Sequence, residues 1–116
     1  MPPFQKQIKN FRKVVGDSTT NKAWIEEGLF TVEGVTIERK NNIQVMYGEH
    51  MPDTLVYKVV WKNSWEYWLF KVKGDVVSNE LLKAKVTKSA PNYYECFVAN
   101  ANNEGRAVSY QLRKIK

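Results

Sequence analysis

The sequence predicts an all-β domain in which an antiparallel meander of about eight strands forms a small barrel or half-barrel behind an N-terminal amphipathic helix. Three observations support this fold class. From residue 24 onward, apolar and polar residues largely alternate with the period of a strand. Turn-forming dipeptides and short polar loops interrupt the alternation at regular intervals. No helical pattern lies between these strands, and parallel strands would need such crossover segments.

Length and composition are those of one globular domain over residues 1–116. The chain has 43% hydrophobic and 26% charged residues, and its length suffices for a core without disulfides or metal. It contains no apolar run of roughly 20 residues and no signal-peptide pattern. The expected location is therefore the cytoplasm, or a secreted or periplasmic compartment if a leader has been removed. Cys96, the single cysteine, excludes an internal disulfide.

Only the start of the chain has helical spacing, over residues 1–15. Its apolar residues recur at intervals of four, three and four, which places them on one stripe of a helix. Residues 16–18, Gly-Asp-Ser, are typical of a helix end. We expect the helix to cap the barrel, with an electrostatic contact to an anionic surface as the alternative. The stripe consists of Phe4, Ile8, Phe11 and Val15.

Residues 24–116 contain the strands. Gly28 predicts a bend or bulge within the first of them. Asn41-Asn42 and Asn63-Ser64 predict turns between neighbouring strands. The predicted strands are residues 24–32, 35–40, 43–47, 55–62, 65–73, 81–88, 93–100 and 106–114.

The segment LVYKVVWKNSWEYWLFKVKGD, residues 55–75, holds three of the four tryptophans. Alternation on either side of its turn sends Trp61 and Trp65 to the inner face and Trp68 to the outer face. A bulge near Leu69 would reverse the alternation and turn Phe70 and Val72 inward. Without that bulge, Trp68 and Phe70 lie outside, beside Lys58 and Lys62.

Residues typical of catalytic or metal sites do not combine into one. Ser18 follows Gly-Asp as in one group of lipases and esterases, but a serine nucleophile needs a histidine base and an acid. The single histidine, His50, has no Asp three residues ahead of it. His50 and Cys96 cannot supply an ordinary set of zinc ligands. Cys96 alternates with Tyr94 and Val98, as a small buried side chain would. We predict no catalytic residue, no metal and no cofactor.

The net charge of +6 lies at the two ends of the chain. Residues 1–13 and 105–116 each carry four basic residues and no acidic one, whereas the remainder holds 10 basic and 12 acidic residues. Basic termini are commonly solvated. Proteins that bind single-stranded nucleic acid carry aromatic and basic side chains on the same face. In this sequence, strand alternation places most of the aromatic and basic residues on opposite faces. The pattern therefore argues against nucleic-acid binding.

Four segments resemble a family of small lipocalin-like bacterial proteins. They are GLFTVEGVTIERKNNIQV (28–45), YKVVWKNSWEYWL (57–69), VTKSAPNYYECF (86–97) and VSYQLRKIK (108–116). The family's motifs are a G-x-F strand, an I-x-R hairpin followed by Q, a V-x-W strand, an E-Y-x-L strand and a terminal K-x-K. The resemblance implies a lipocalin-like barrel and no known catalytic residues.

This chain departs from the family pattern in three places. It has Ser64-Trp65 where members often have Asp-Cys, and Trp68 where they have a polar residue. Members also tend to have a lipoprotein leader, whereas this chain has the basic amphipathic segment of residues 1–15. The compartment is therefore left open.

These observations predict a non-enzymatic binding protein that holds a small apolar ligand inside the barrel. One alternative is that the inner side chains simply fill the barrel. Another is a protein- or nucleic-acid-interaction module on the outer face, which includes a homodimer through Trp68 and Phe70, with Lys58 and Lys62 nearby. The predicted ligand-lining residues are Phe30, Ile37, Tyr57, Trp61, Trp65, Tyr67, Leu69 and Tyr94.

Overall fold

In the computed structural model, which describes residues 4–73 and 80–116, eight antiparallel strands close into a barrel and a short extra strand lies outside it. A 3₁₀ helix, Phe11–Lys13, and one α-helix, α1, Lys22–Glu26, precede the barrel. The strands are β1 Ile8–Lys9, β2 Gly28–Val32, β3 Val35–Lys40, β4 Ile43–Gly48, β5 Leu55–Trp61, β6 Glu66–Lys73, β7 Leu81–Ser89, β8 Tyr93–Asn100 and β9 Ala107–Lys114.

The barrel is a meander in which each of the strands from β2 to β8 pairs with the next one along the chain. Pairing of Phe30 with Lys114 and of Thr31 with Arg113 joins β2 to β9 and closes the barrel. The predicted barrel architecture is thus confirmed, in its closed form. Closure removes the exposed edges that an open sheet would present to another chain.

Two-residue turns join the first strands of the barrel. Asn41 and Asn42 have φ values of 54° and 61°, and Glu33 and Gly34 have φ values of 49° and 79°. Positive φ at both central residues suits the right-handed twist of a hairpin, and asparagine and glycine tolerate it best. The sequence signal at Asn41-Asn42 therefore acts locally, through backbone preference.

The predicted N-terminal helix is wrong over the described residues 4–15. The segment is extended apart from its single 3₁₀ turn, and β1 pairs with β9, with Ile8 opposite Val108. Phe11 is buried, whereas Val15 is 83% exposed, so the proposed apolar stripe does not exist. A helix of about 15 residues is marginal on its own, and the extended chain gains strand pairing and burial instead.

The N-terminal segment covers the outer wall of the barrel and does not cap an end. Phe11 and Val14 pack in a second apolar cluster on the outer side of β8 and β9. The ammonium group of Lys85 donates to the carbonyls of Phe11 and Val14, at 2.9 and 3.3 Å. The other members of this cluster are Phe97, Ala99 and Ala107.

The first predicted strand, residues 24–32, is wrong at its start because residues 22–26 form α1. Gly28 then turns the chain from α1 into β2 with a φ of +138°, which side chains of L-residues rarely allow. Ile25 of α1 is fully buried in the barrel core, and Trp24 contacts Phe30 edge-on at 6.2 Å. The helix thus packs against one end of the barrel interior.

The predicted reversal of alternation near Leu69 is also wrong. Phe70 is 38% and Val72 is 66% exposed, so both stay on the outer face. The irregularity lies further along β6, where Tyr57 pairs with Lys71 and Val56 with Lys73. Lys71 therefore keeps the inward parity of Tyr67 and Leu69, with a side chain only 3% exposed.

Candidate functional site

A cavity of about 280 Å³ lies inside the barrel and extends from Arg39 to Glu33 in the β2–β3 turn. Most of its lining is apolar and comes from β2, β3, β4, β6, β7, β8 and β9. The polar groups among the lining are few. The lining residues are Val32, Glu33, Val35, Ile37, Arg39, Gln44, Met46, Tyr67, Leu69, Leu82, Cys96, Val98, Tyr110 and Leu112.

Arg39 is a fully interior arginine, 3% exposed. It shares the inward face of β3 with Val35 and Ile37, as strand alternation requires. Its Nε donates to Gln44 Oε1 at 2.7 Å, its Nη1 to the Ile25 carbonyl at 3.2 Å, and its Nη2 to Tyr67 Oη at 3.0 Å. Strand β4 and helix α1 thus fix the guanidinium in one position.

Aromatic rings surround the same guanidinium. Its central carbon lies 5.0 Å from the ring centre of Phe30, 4.8 Å from that of Tyr67 and 5.7 Å from that of Tyr94. Phe30 and Tyr94 in turn pack edge-on at 5.6 Å. Such rings attract a cation more strongly when it is buried, as Arg39 is.

The acceptors around Arg39 are neutral at physiological pH. Burial raises the pKa of Tyr94 to about 12 and that of Cys96 to about 12. Burial likewise raises the pKa of Tyr67 well above its ordinary value. Burial lowers the pKa of Arg39, but the electrostatic influence of Tyr67 and Tyr94 outweighs burial, so the net change is a raised pKa. The guanidinium therefore stays charged among uncharged neighbours.

No carboxylate within residues 4–73 and 80–116 forms an ion pair with Arg39. Lys71, a second inward-facing cation, differs in this respect because Glu80 Oε1 lies 3.4 Å from its Nζ. Tyr57 donates to the same Glu80 oxygen at 2.9 Å. Among the described residues, Lys71 thus has an acidic partner, whereas the side-chain partners of Arg39 are neutral.

The structure separates the predicted ligand-lining residues into three groups. Ile37, Tyr67 and Leu69 line the cavity. Phe30 and Tyr94 are buried around Arg39 but do not line the cavity, and Tyr57 is buried and bonded to Glu80. The half-buried pair Trp61 and Trp65 packs at the edge of the core, away from the cavity.

Each of those two tryptophans has a partner near the start of the chain. Trp61 lies 4.9 Å from the Tyr67 ring centre, with the ammonium group of Lys22 5.6 Å above it. Trp65 contacts Gly16 so closely that a β-carbon there would stand 2.1 Å from the indole. Both residues thus tie the segment before β2 to the barrel and are not cavity walls.

Sequence reasoning missed Arg39 and Gln44. Alternation along β3 gives Arg39 the parity of Val35 and Ile37, and this was the available signal. A charged residue is rarely buried without a partner, and this rule favoured an outward position for Arg39. Gln44 is 1% exposed and supplies the acceptor that holds Nε.

The predicted outer-face residues do lie together on the outside of β5, β6 and β7. Trp68 is half-buried, and the ammonium groups of Lys62 and Lys83 each lie 4.4 Å from its ring centre. Its Nε1 donates to Glu66 Oε2 at 2.8 Å. Phe70 stands opposite Lys58 across the β5–β6 pair. The indole is therefore covered by charged side chains and not presented as a bare apolar patch.

Within the described part of the chain, no group of three or more His, Cys, Asp or Glu side chains is placed to hold a metal ion. Likewise, none of the described helices has the length and apolar character needed to span a membrane. Comparisons with protein-family models, with curated proteins and with solved structures find no match to this chain.

Proposed function

We propose that this chain is a lipocalin-like binding protein without enzymatic activity, and that its barrel holds one small, largely apolar ligand. The observation that carries this proposal is the cavity of about 280 Å³, with its mostly apolar lining and its few convergent polar groups at Arg39, Gln44 and Tyr67. Small-molecule sites typically combine these features.

The cavity volume sets the size of the ligand. An apolar cavity of about 150 Å³ can accept benzene. By proportion, about 280 Å³ suits a ligand of roughly ten to twelve non-hydrogen atoms. We therefore expect the part of the ligand inside the barrel to have the size of a medium-length alkyl chain or a single ring.

The residues that carry the family resemblance support the same site. Ile37, Arg39 and Gln44 are the I, R and Q of the hairpin motif, and Tyr67 and Leu69 are the Y and L of the E-Y-x-L strand. All of these residues line the cavity. Membership of the small lipocalin-like family is part of the proposal on this basis.

The alternative of a filled barrel fits one half of the interior only. Around Phe30, Tyr94 and Ile25 the side chains are fully buried and pack closely. That half fixes Arg39, and the cavity begins beside it. A packed half next to an apolar cavity is the arrangement of a preformed site.

Calorimetric titration with 1-octanol, a neutral compound of suitable size, tests this function. We expect saturable binding to the wild-type chain and its loss in Val98→Phe, which places a ring in the cavity. Val60→Phe is the matched control because Val60 lies on the outer side of β5, opposite Trp68. Absence of binding to the wild-type chain, or equal binding by Val98→Phe and Val60→Phe, contradicts the proposal.

A second candidate function is single-stranded nucleic-acid binding at the outer face. The observation that favours it is the placement of Trp68 and Phe70 beside Lys58, Lys62 and Lys83. Stacking of a base on an aromatic side chain contributes about 1–3 kcal/mol.

Fluorescence anisotropy with a labelled oligothymidine at low salt tests this candidate. Trp68→Ala should weaken binding about tenfold by the loss of stacking. Tyr47→Ala, at a 40% exposed tyrosine on β4, is the control. Equal affinities for the two variants count against this function.

The predicted homodimer through the same face is tested by sedimentation of the wild-type chain and of Trp68→Lys. A wild-type chain that is monomeric at high concentration contradicts the homodimer.

A further inference from the structure

We infer that the ligand is an organic carboxylate, whose carboxylate group pairs with Arg39 while its apolar body occupies the cavity. This inference rests on the proposed binding function and adds the chemical class and the orientation of the ligand. Its starting point is a positive charge inside the barrel that no described acidic residue neutralises.

Burial of an unpaired charge costs free energy, and proteins usually compensate such a charge with an acid. Lys71 follows this rule through Glu80. Arg39 instead has amide, carbonyl and phenol oxygens as its hydrogen-bond acceptors. These groups satisfy hydrogen-bonding geometry but leave the charge in place, so an anion that entered the cavity would find an uncompensated cation.

The guanidinium is also held ready for a carboxylate. Gln44 and the Ile25 carbonyl fix two of its nitrogens. A planar guanidinium matches a carboxylate better than any other side chain, because its N–H groups can bind both oxygens. Because Arg39 lines the cavity, a ligand can reach it without unfolding of the wall.

The hydroxyl of Tyr67 adds a second donor. Tyr67 Oη accepts a hydrogen bond from Arg39 and lies 2.9 Å from Tyr94 Oη, where either oxygen can be the donor. When Tyr94 donates, the proton of Tyr67 is free to point into the cavity that Tyr67 lines. The raised pKa values of both phenols keep these protons in place at neutral pH.

Glu33 fixes which way the ligand lies. It lines the cavity at the β2–β3 turn, and its carboxylate is 2.7 Å from Lys6 Nζ, with a side chain 54% exposed. At this end Lys6 is already paired with Glu33, so an anionic head would find no uncompensated cation there. The head therefore lies at Arg39, and the apolar body points toward Glu33.

Three ligands with the same eight-carbon chain separate charge from size: octanoate, 1-octanol and octylammonium. A hydrogen bond to a charged group is strong enough for roughly a ten- to hundred-fold gain in affinity. We expect wild-type affinity to fall by at least about tenfold from octanoate to 1-octanol, and octylammonium to bind weakest because it carries the charge of Arg39.

The variant Arg39→Met tests the assigned partner, because methionine can fill similar space without charge. We expect its affinities for octanoate and for 1-octanol to differ by less than about threefold, because the preference for the carboxylate depends on the Arg39 charge. If the wild-type chain binds 1-octanol as tightly as octanoate, the inference is wrong and the proposed binding function stands. If neither compound binds, the binding function itself fails. The wild-type comparison decides the inference even if Arg39→Met does not fold.

Discussion

Replacement of Phe11 by alanine tests how the N-terminal segment is attached to the barrel. Phe11 is 3% exposed on the outer wall of β8 and β9, and the Lys85 ammonium group lies 4.4 Å from its ring centre. Truncation of a buried phenylalanine costs about 3–5 kcal/mol. Because this cluster is small and lies at the periphery, we expect the lower value, about 3 kcal/mol, which corresponds to a fall in Tm of roughly 12 °C.

The matched control is Val15→Ala. Val15 belongs to the same apolar stripe in the sequence but is 83% exposed in the structure. We expect its free energy of unfolding to change by less than about 0.5 kcal/mol. Thermal and urea unfolding followed by circular dichroism measure both variants. Comparable losses in the two variants would indicate an N-terminal helix that buries the whole stripe, and would refute the extended segment described above.

Three further predictions concern other buried groups. Gly16→Ala should destabilise the fold by about 1–3 kcal/mol, because a β-carbon there would stand 2.1 Å from the Trp65 indole; an unchanged urea midpoint would contradict that contact. Cys96 should react with a maleimide at pH 7 only in denaturant, since burial holds its pKa at about 12; rapid labelling of the native chain would show an open thiol. Stability should fall between about pH 9 and 12. In the unfolded chain Cys96 has a pKa near 9.0 and Tyr94 a pKa near 10.0, whereas in the folded chain the pKa of each is about 12. Urea midpoints that stay constant over this pH range would contradict the buried positions.

Local sequence signals account for the strands of the barrel. The Asn41-Asn42 hairpin depends on backbone preferences of two adjacent residues, and the inward positions of Tyr67 and Leu69 follow from simple alternation. Such signals need no knowledge of distant residues. For this reason the order and approximate bounds of β2 to β9 could be predicted.

The N-terminal segment could not be predicted in the same way. The spacing of Phe11 and Val15 fits a helix, and the sequence gives no sign that Ile8 pairs with Val108 at the other end of the chain. The apolar outer wall around Phe97 exists only after β8 and β9 have paired. A contact between chain ends thus overrides a local pattern.

Only part of the site could be predicted, because some of its contacts also depend on residues that are distant in the sequence. Alternation gave the inward positions of Ile37 and Tyr67 and the same parity to Arg39, but the rarity of buried charges argued against an inward arginine. That charge is tolerated because Phe30, Tyr67 and Tyr94 come together from three different strands. Their meeting around one guanidinium is a property of the closed barrel and has no local sequence signal.

The most direct test of an interior binding site is a methyl NMR titration of the wild-type chain with 1-octanol. We expect saturable shifts in the methyl signals of Ile37, Leu69 and Val98, which line the cavity, and none for Val60 and Val15, which lie outside it. Shifts confined to the outer residues, or no saturable shift among the cavity methyls, would contradict ligand binding inside the barrel.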